Sequence, residues 1–418
     1  MRKSFKLKHQ VILVDHQTNT EKLVDDILKG QSKGLAIRLP IKTGVFAQYK
    51  IDAFINEEQR HDLKILTRNT AQALKTMSSG ERKKILLNHL LEQELDCMIL
   101  VNPYDNLDIQ TQTALKEKFD KLGESIFLIQ ILTRAADVLP NTTLFYGYKK
   151  EKISKYPNIE SLLKSHTSTI KFKQTIPRPL KPFKLADDTL VQLKDVSVNF
   201  EEKQVLNSIN WTVVKGDFWQ LVGPNGSGKT TILNMITGDS PKSYGQNVTL
   251  FGHKKGSGES VWDIKQLIGY FTPAMTDRFR GYHTLENMLI SGLHDSIGLY
   301  QKPTDIEKSI SQKWLQLLRL EAKKNHYFHQ LSMGEKRLLM TARGMIKHPP
   351  LLILDEPTTG LDDASAHFFV SLVNKFAQES TSAIIFVSHR KETGLKASKT
   401  FALTISPKGS SGAVCIHS

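Results

Sequence analysis

From residue 190 onward, apolar and polar positions alternate as a half-buried strand requires: Leu190-Val191-Gln192-Leu193, then Val196-Ser197-Val198-Asn199-Phe200. Farther along the pattern changes. Short apolar runs at 219–222, 351–354 and 383–387 read as strands buried on both faces, and longer helix-like stretches separate them. Strands alternating with helices predict an α/β domain built on a largely parallel core sheet. Upstream, Pro177, Pro179 and Pro182 hold the backbone extended and continue neither a helix nor a central strand. They predict a semi-rigid linker between two halves.

The two halves repeat each other. Residues 74–108 and 328–362 align without a gap at an offset that pairs Ser78 with Ser332, Gly80 with Gly334 and Glu81 with Glu335. The same offset pairs Ile99-Leu100 with Ile353-Leu354, Pro103 with Pro357, and Leu107-Asp108 with Leu361-Asp362. The chain is a tandem duplication whose second copy is the better preserved. The expected division is a degenerate domain over 1–148, a basic Pro-containing linker over 149–186, and a competent domain over 187–418.

Two motifs in the second copy carry chemistry. Gly223-Pro-Asn225-Gly226-Ser-Gly228-Lys229-Thr230 follows an apolar strand and opens a predicted helix that continues through Thr231. Glycines there let backbone N–H groups converge on phosphate oxygens at a helix N-terminus. Lys229 would reach the β- and γ-phosphates, and the Thr230 hydroxyl would sit on Mg²⁺. Leu351–Leu354 then runs into Asp355 and Glu356. Acids at the end of a buried strand are costly unless a cation sits there. Mg²⁺ held by Asp355, with Glu356 activating water, supplies that reason.

At 418 residues the chain has room for two or three domains, each with its own core. Two cysteines, Cys97 and Cys415, exclude a disulfide framework and a four-cysteine zinc site. His326 and His329 lack the further ligands zinc needs. No apolar run suits a secretory signal or a membrane span, so a cytoplasmic protein is expected, with peripheral attachment to a membrane left open. The net charge of +15 is uneven: residues 149–184 hold ten Lys/Arg against two acids. A solvated linker explains that run, and RNA or a ribosome is the alternative partner. Aromatics suited to base stacking are few there, namely Tyr156, Phe172 and Phe183.

Taken with the phosphate loop, Leu331-Ser332-Met333-Gly334-Glu335 resembles the signature loop of ATP-binding-cassette (ABC) ATPases, with Met and Glu in place of Gly and Gln. Gly360-Leu361-Asp362 resembles their D-loop, His389 their switch histidine, and Phe200 the aromatic that meets adenine. The resemblance implies tandem P-loop cassettes, each a mixed core sheet with a helical subdomain, the first truncated. It implies ATP and Mg²⁺ as ligands, with Glu356 and His389 catalytic. Among such proteins the stretches 252–265 and 291–300 resemble the ModF/photorepair type, a group tied to molybdate transport. A membrane permease or another protein is the implied partner. An ABC-F-like translation factor and a nucleotide-gated scaffold with little turnover are the alternatives. Long heptads are absent between Lys229 and Gly334, which disfavours a coiled-coil chromosome ATPase.

Two departures stand out. The glutamine that the family carries after the strand at 268–271 is missing; the sequence reads Thr272-Pro273-Ala274-Met275. The first copy has no G-x4-G-K-[ST], and Gly34 and Gly44 offer no frame for one. It also has Val101 and Asn102 for the acidic pair, and Thr133 at the switch if that strand is shifted by two residues. It keeps a signature, Ser78-Ser79-Gly80-Glu81. Because the family covers each nucleotide with the other cassette's signature, Ser78 and Gly80 are expected to serve the ATP held by Lys229 in a monomer. A homodimer of second cassettes would use Ser332 and Gly334 instead.

Overall fold

The computed structural model describes residues 8–15, 18–32, 35, 42–68, 72–149, 151–166, 172–201, 203–279, 281–388 and 392–417. The chain divides into two compact units, residues 1–169 with 360–365, and residues 170–359 with 366–418.

In the first unit the elements are β1 (His9–Leu13), α1 (Thr20–Leu28), β2 (Thr43–Phe46), α2 (Gln48–His61), α3 (Ser79–Leu91), β3 (Cys97–Val101), α4 (Ile109–Leu122), β4 (Phe127–Leu132), β5 (Thr142–Lys149), β6 (Lys152–Tyr156) and α5 (Ile159–His166). Its sheet runs β2-β3-β4-β1-β5-β6, parallel except for the last pair. β1 and β3 are buried along their whole length, as central parallel strands covered on both faces must be.

The second unit opens with a hairpin, β7 (Thr189–Phe200) and β8 (Lys203–Val214), followed by β9 (Phe218–Val222), α6 (Lys229–Ile236), β10 (Val248–Leu250), β11 (His253–Lys254) and α7 (Val261–Gln266). Next come β12 (Ile268–Phe271), α8 (Pro273–Arg278), α9 (Leu285–Ser291), α10 (Asp305–Leu317) and α11 (Met333–Met345). The chain closes with β13 (Leu351–Asp355), α12 (Asp363–Glu379), β14 (Ala383–Val387), β15 (Lys399–Thr404) and β16 (Ser411–Ile416). The core sheet runs β12-β13-β14-β9-β15-β16, the same order and strand directions as in the first unit. A second, antiparallel sheet, β11-β10-β7-β8, shares the apolar core of this unit. Trp211 on β8 stacks on Phe401 of β15 at 4.6 Å and meets Trp219 of β9 edge-on at 5.5 Å.

The first unit is therefore the same core sheet without that antiparallel layer among the described residues. It is also shorter between α2 and α3, where the second unit inserts α9 and α10.

The basic stretch 149–186, expected as a linker, divides in two. Its first part continues the first unit: β6 pairs with β5, and Leu162 of α5 is fully buried beside Val11, Leu13 and Leu132. The charges of β6 lie on its exposed positions, so a basic composition coexists with strand structure. Only the proline segment is linker-like, and it is strapped to the second unit. Ile176 N–H donates to the Glu379 carboxylate at 2.7 Å, and His348 Nε2 bonds the Pro177 carbonyl at 2.7 Å.

Candidate functional site

The phosphate loop lies between β9 and α6, and its glycines have structural reasons. Gly226 and Gly228 take φ of +76° and +89°, where a side chain is strained. A Cβ on Gly228, the N-cap of α6, would also approach Leu206 Cδ2 to 2.4 Å. Lys229 is buried and donates to the carbonyls of Gly223 (2.7 Å) and Pro224 (2.9 Å), folding its ammonium over the loop. Thr230 is exposed, whereas the hydroxyl of Ser227 is buried with no partner among the described residues. Phe200 ends β7, half exposed, with Lys242 Nζ 5.4 Å above its ring. Val205 and Leu206 of the adjoining β8 pack against the loop at Gly228.

The acidic pair meets this loop through sheet order. Asp355 is in register with Val387 on β14, and Val387 with Leu221 on β9. Asp355 thus stands two ladders from the strand that feeds the phosphate loop, about 10 Å at the usual strand spacing. That gap suits a hydrated cation and phosphate groups. Glu356 adopts φ of +49°, and its N–H is fixed to the Val387 carbonyl at 3.0 Å. A glutamate held in the left-handed region marks a position where direction matters more than backbone comfort. His389, two residues beyond Val387, lies outside the described residues.

Register also locates what the first copy has lost. Ile12 and Leu221 occupy equivalent rungs, opposite Ile131 and Val387, and α1 and α6 begin equally far beyond them. Val14, Asp15 and Thr18–Glu21 therefore stand where Gly223, Pro224 and Ser227–Thr230 stand in the second unit. The sequence from Val14 to Glu21 contains no glycine and no lysine. Asn19 caps α1 by accepting from Lys22 N–H at 2.9 Å, which occupies the helix end that would face phosphate, and Glu21 adds negative charge there.

Val101 pairs with Ile131 as Asp355 does with Val387, so Thr133 holds the switch position. Asn102 takes φ of +40° at the place of Glu356 and accepts from Thr133 N–H at 2.9 Å. Where the second copy has an acidic pair, the first has a structural contact.

Both signature loops cap helices in the same way. Ser332 and Ser78 are N-caps of α11 and α3, each in a reciprocal capping box with Glu335 or Glu81. The N–H and hydroxyl of Ser78 hold the Glu81 carboxyl below its ordinary value. Burial alone would raise Glu335, but the Lys323 ammonium at 2.6 Å and the Ser332 N–H outweigh it. Gly334 is buried in the first turn of α11, and Gly80 is half-buried in α3.

Sequence reading missed the cations behind these loops. Arg337 donates to the carbonyls of Pro357 and Thr359, and Lys83 to those of Pro103 (2.9 Å) and Asp105 (2.6 Å), at matching positions of the repeat. Each tethers a signature helix to the loop that follows the neighbouring core strand, β13 for Arg337 and β3 for Lys83. Lys83→Met should lower stability by about 2–3 kcal/mol, because it leaves a buried and a part-buried carbonyl without a charged donor. A chemical-denaturation midpoint unchanged from wild type would remove the tether.

Asp362 is buried and accepts from Ser365 N–H at 2.7 Å, as Asp108 does from Thr111 at 2.8 Å. Within the first compact unit, Arg134 Nε donates to the Leu361 carbonyl and Ala135 N–H to Asp363, both at 2.7 Å. Pro273, where the glutamine is missing, starts α8, and in the first unit Gln48 starts α2 at the equivalent rung beyond the strand. Tyr270 of β12, also unmarked in the sequence, donates from its hydroxyl to Asp355 Oδ2 at 3.4 Å. Burial first, and then the Asp355 charge, push its phenol up, so it remains a donor.

A phosphate loop and an Asp-Glu strand end on this sheet order, joined to an antiparallel layer and a signature helix, define a nucleotide-binding cassette. Residues 206–359 match the ABC transporter family. ABC transporter ATP-binding protein ModF of Escherichia coli (strain K12) is 36% identical over 333 residues, 76% of this chain and 67% of that protein. An uncharacterized ABC transporter ATP-binding protein of Schizosaccharomyces pombe is 28% identical over 326 residues, 77% of this chain and 66% of its own length. The chain spans about two thirds of both relatives. An archaeal ribosome recycling factor, solved with a ribosomal stalk protein, covers 97% of this chain and 85% of its own at a TM-score of 0.65. With 15% identity, that likeness is one of fold.

The chain belongs to the ATP-binding cassette family, whose members bind and hydrolyse ATP. No helix among the described residues is long and apolar enough to cross a membrane.

Proposed function

We propose that this protein hydrolyses ATP at one competent site, built on the second unit, and that the first unit is a cassette retired from turnover but kept for its signature loop. The observation that carries this reading is the rung-by-rung match of β1 to β9, which leads into a segment at 14–21 with no glycine or lysine where the second unit has its phosphate loop, on an otherwise repeated sheet. Lys229 and the loop amides bind the phosphates, Phe200 meets the base, Glu356 takes the proton from water, and His389 supports the γ-phosphate. The hard oxygens of Thr230 and Asp355 suit Mg²⁺, which would neutralise phosphate charge when bound.

ATP-driven change of shape would act on a protein partner, a permease or another protein, in the cytoplasm where ATP is available. A groove of about 540 Å³ on the second unit, lined by Trp262, Met275, Phe279 and Ile297, offers such a partner an apolar seat. Trp262 and Ile297 are about three-quarters exposed, more than a large apolar side chain usually is without a partner.

Turnover at Lys229 is proposed to depend on Ser78 and not on Ser332. Ser78→Arg should abolish phosphate release at concentrations where the chain is monomeric, while Ser332→Arg keeps most of it. A dead Ser332→Arg beside a live Ser78→Arg, with activity that falls on dilution, would transfer the function to a homodimer of second cassettes.

A further inference from the structure

Tyr270 has two surroundings at once. The residue is among those lining the groove that also contains Trp262, Met275 and Phe279, and its hydroxyl reaches Asp355 Oδ2 at 3.4 Å. The reach follows from the sheet. β12 lies beside β13 in parallel register, Tyr270 opposite Ile353, so the side chain needs to extend only along its neighbour to the carboxylate at that strand's end. The loop beyond β12 supplies no side-chain amide for this task, since Thr272 and Pro273 lead directly into α8.

The chain contains its own control. In the first unit, β2 and β3 have the same register, Val45 opposite Ile99. The positions of Tyr270 and Asp355 are there filled by Val45 and Val101. Tyrosine and aspartate are absent together in the copy that has lost its phosphate loop. A tyrosine retained for packing alone would have no reason to leave with the aspartate, because Val45 is buried in an intact core.

We infer that Tyr270 is a positioning residue: its hydroxyl orients the Asp355 carboxylate for Mg²⁺. At 3.4 Å the bond is longer than the roughly 2.5–3.0 Å of a closed hydroxyl–oxygen pair, so a small displacement of the ring changes it from loose to engaged. This inference rests on the proposed nucleotide site.

The test uses the full chain and a fluorescent ATP analogue, titrated with Mg²⁺ and separately in EDTA. Tyr270→Phe keeps the ring and removes the hydroxyl; Tyr270→Val copies the first unit. Both should need about three- to tenfold more Mg²⁺ for half-maximal enhancement of binding, with affinity in EDTA unchanged. An unaltered Mg²⁺ midpoint overturns the inference. Equal weakening with and without Mg²⁺ also overturns it, since that reports packing. Absence of nucleotide binding in the wild-type chain overturns the site reading and the inference together.

Discussion

Lys229→Ala is expected to weaken ATP binding by about 10- to 100-fold, as the loss of a charge-assisted contact to phosphate implies. The side chain is buried at the first position of α6, with its ammonium on the carbonyls of Gly223 and Pro224. Phosphate oxygens arriving in the loop would exchange those neutral acceptors for charged ones, so the lysine's contribution is much larger with nucleotide than without. Alanine also suits a helix's first turn, so α6 itself should persist. The loss should therefore appear in an equilibrium titration with ATP while the circular dichroism spectrum is preserved. Wild-type affinity in this variant would refute the phosphate-loop assignment. The first unit provides a parallel expectation. With Thr20 and Glu21 at the positions of Lys229 and Thr230, it should add no second nucleotide to the binding stoichiometry.

Glu356→Gln should leave ATP bound and cut steady-state turnover by about 10²-fold or more, the usual size of a lost general base. Its backbone is fixed independently of the carboxylate, through the N–H to the Val387 carbonyl and the left-handed φ. The first unit shows that a side-chain amide is tolerated there: Asn102 occupies the equivalent position at nearly the same φ, bonded to Ile131 in the same way. Folding and binding should therefore survive the substitution, and only proton removal from water should fail. Phosphate release at the wild-type rate would place water activation elsewhere; loss of ATP binding would show that Glu356 acts in the ground state.

The sequence alone determined the competent half of this protein. A phosphate loop works through consecutive backbone amides and a helix end, so its glycines and lysine must be adjacent in the chain and are legible as a string. The same is true of Asp355-Glu356 at the close of an apolar strand, and of the two signature loops, whose capping boxes span only four residues. Alignment of the repeat from 74 to 108 also needed no structure, because that segment retains its register.

The rest was decided by strand pairing between residues far apart in the chain. Nothing in Val14–Glu21 resembles Gly223–Thr230, and only the rungs of β1 and β9 make them equivalent. Lys149 through His166 reads as a basic linker because charge dominates its composition. It joins the first unit because β5 offers an edge for β6 and Leu162 finds a core. Tyr270 and Asp355 are 85 residues apart, and Lys83 and Arg337 reach carbonyls 20 and more residues away. No local pattern encodes such contacts, since they are products of the sheet's order; chemistry confined to neighbouring residues could be read directly, and chemistry assembled across strands appeared only once the strands were paired.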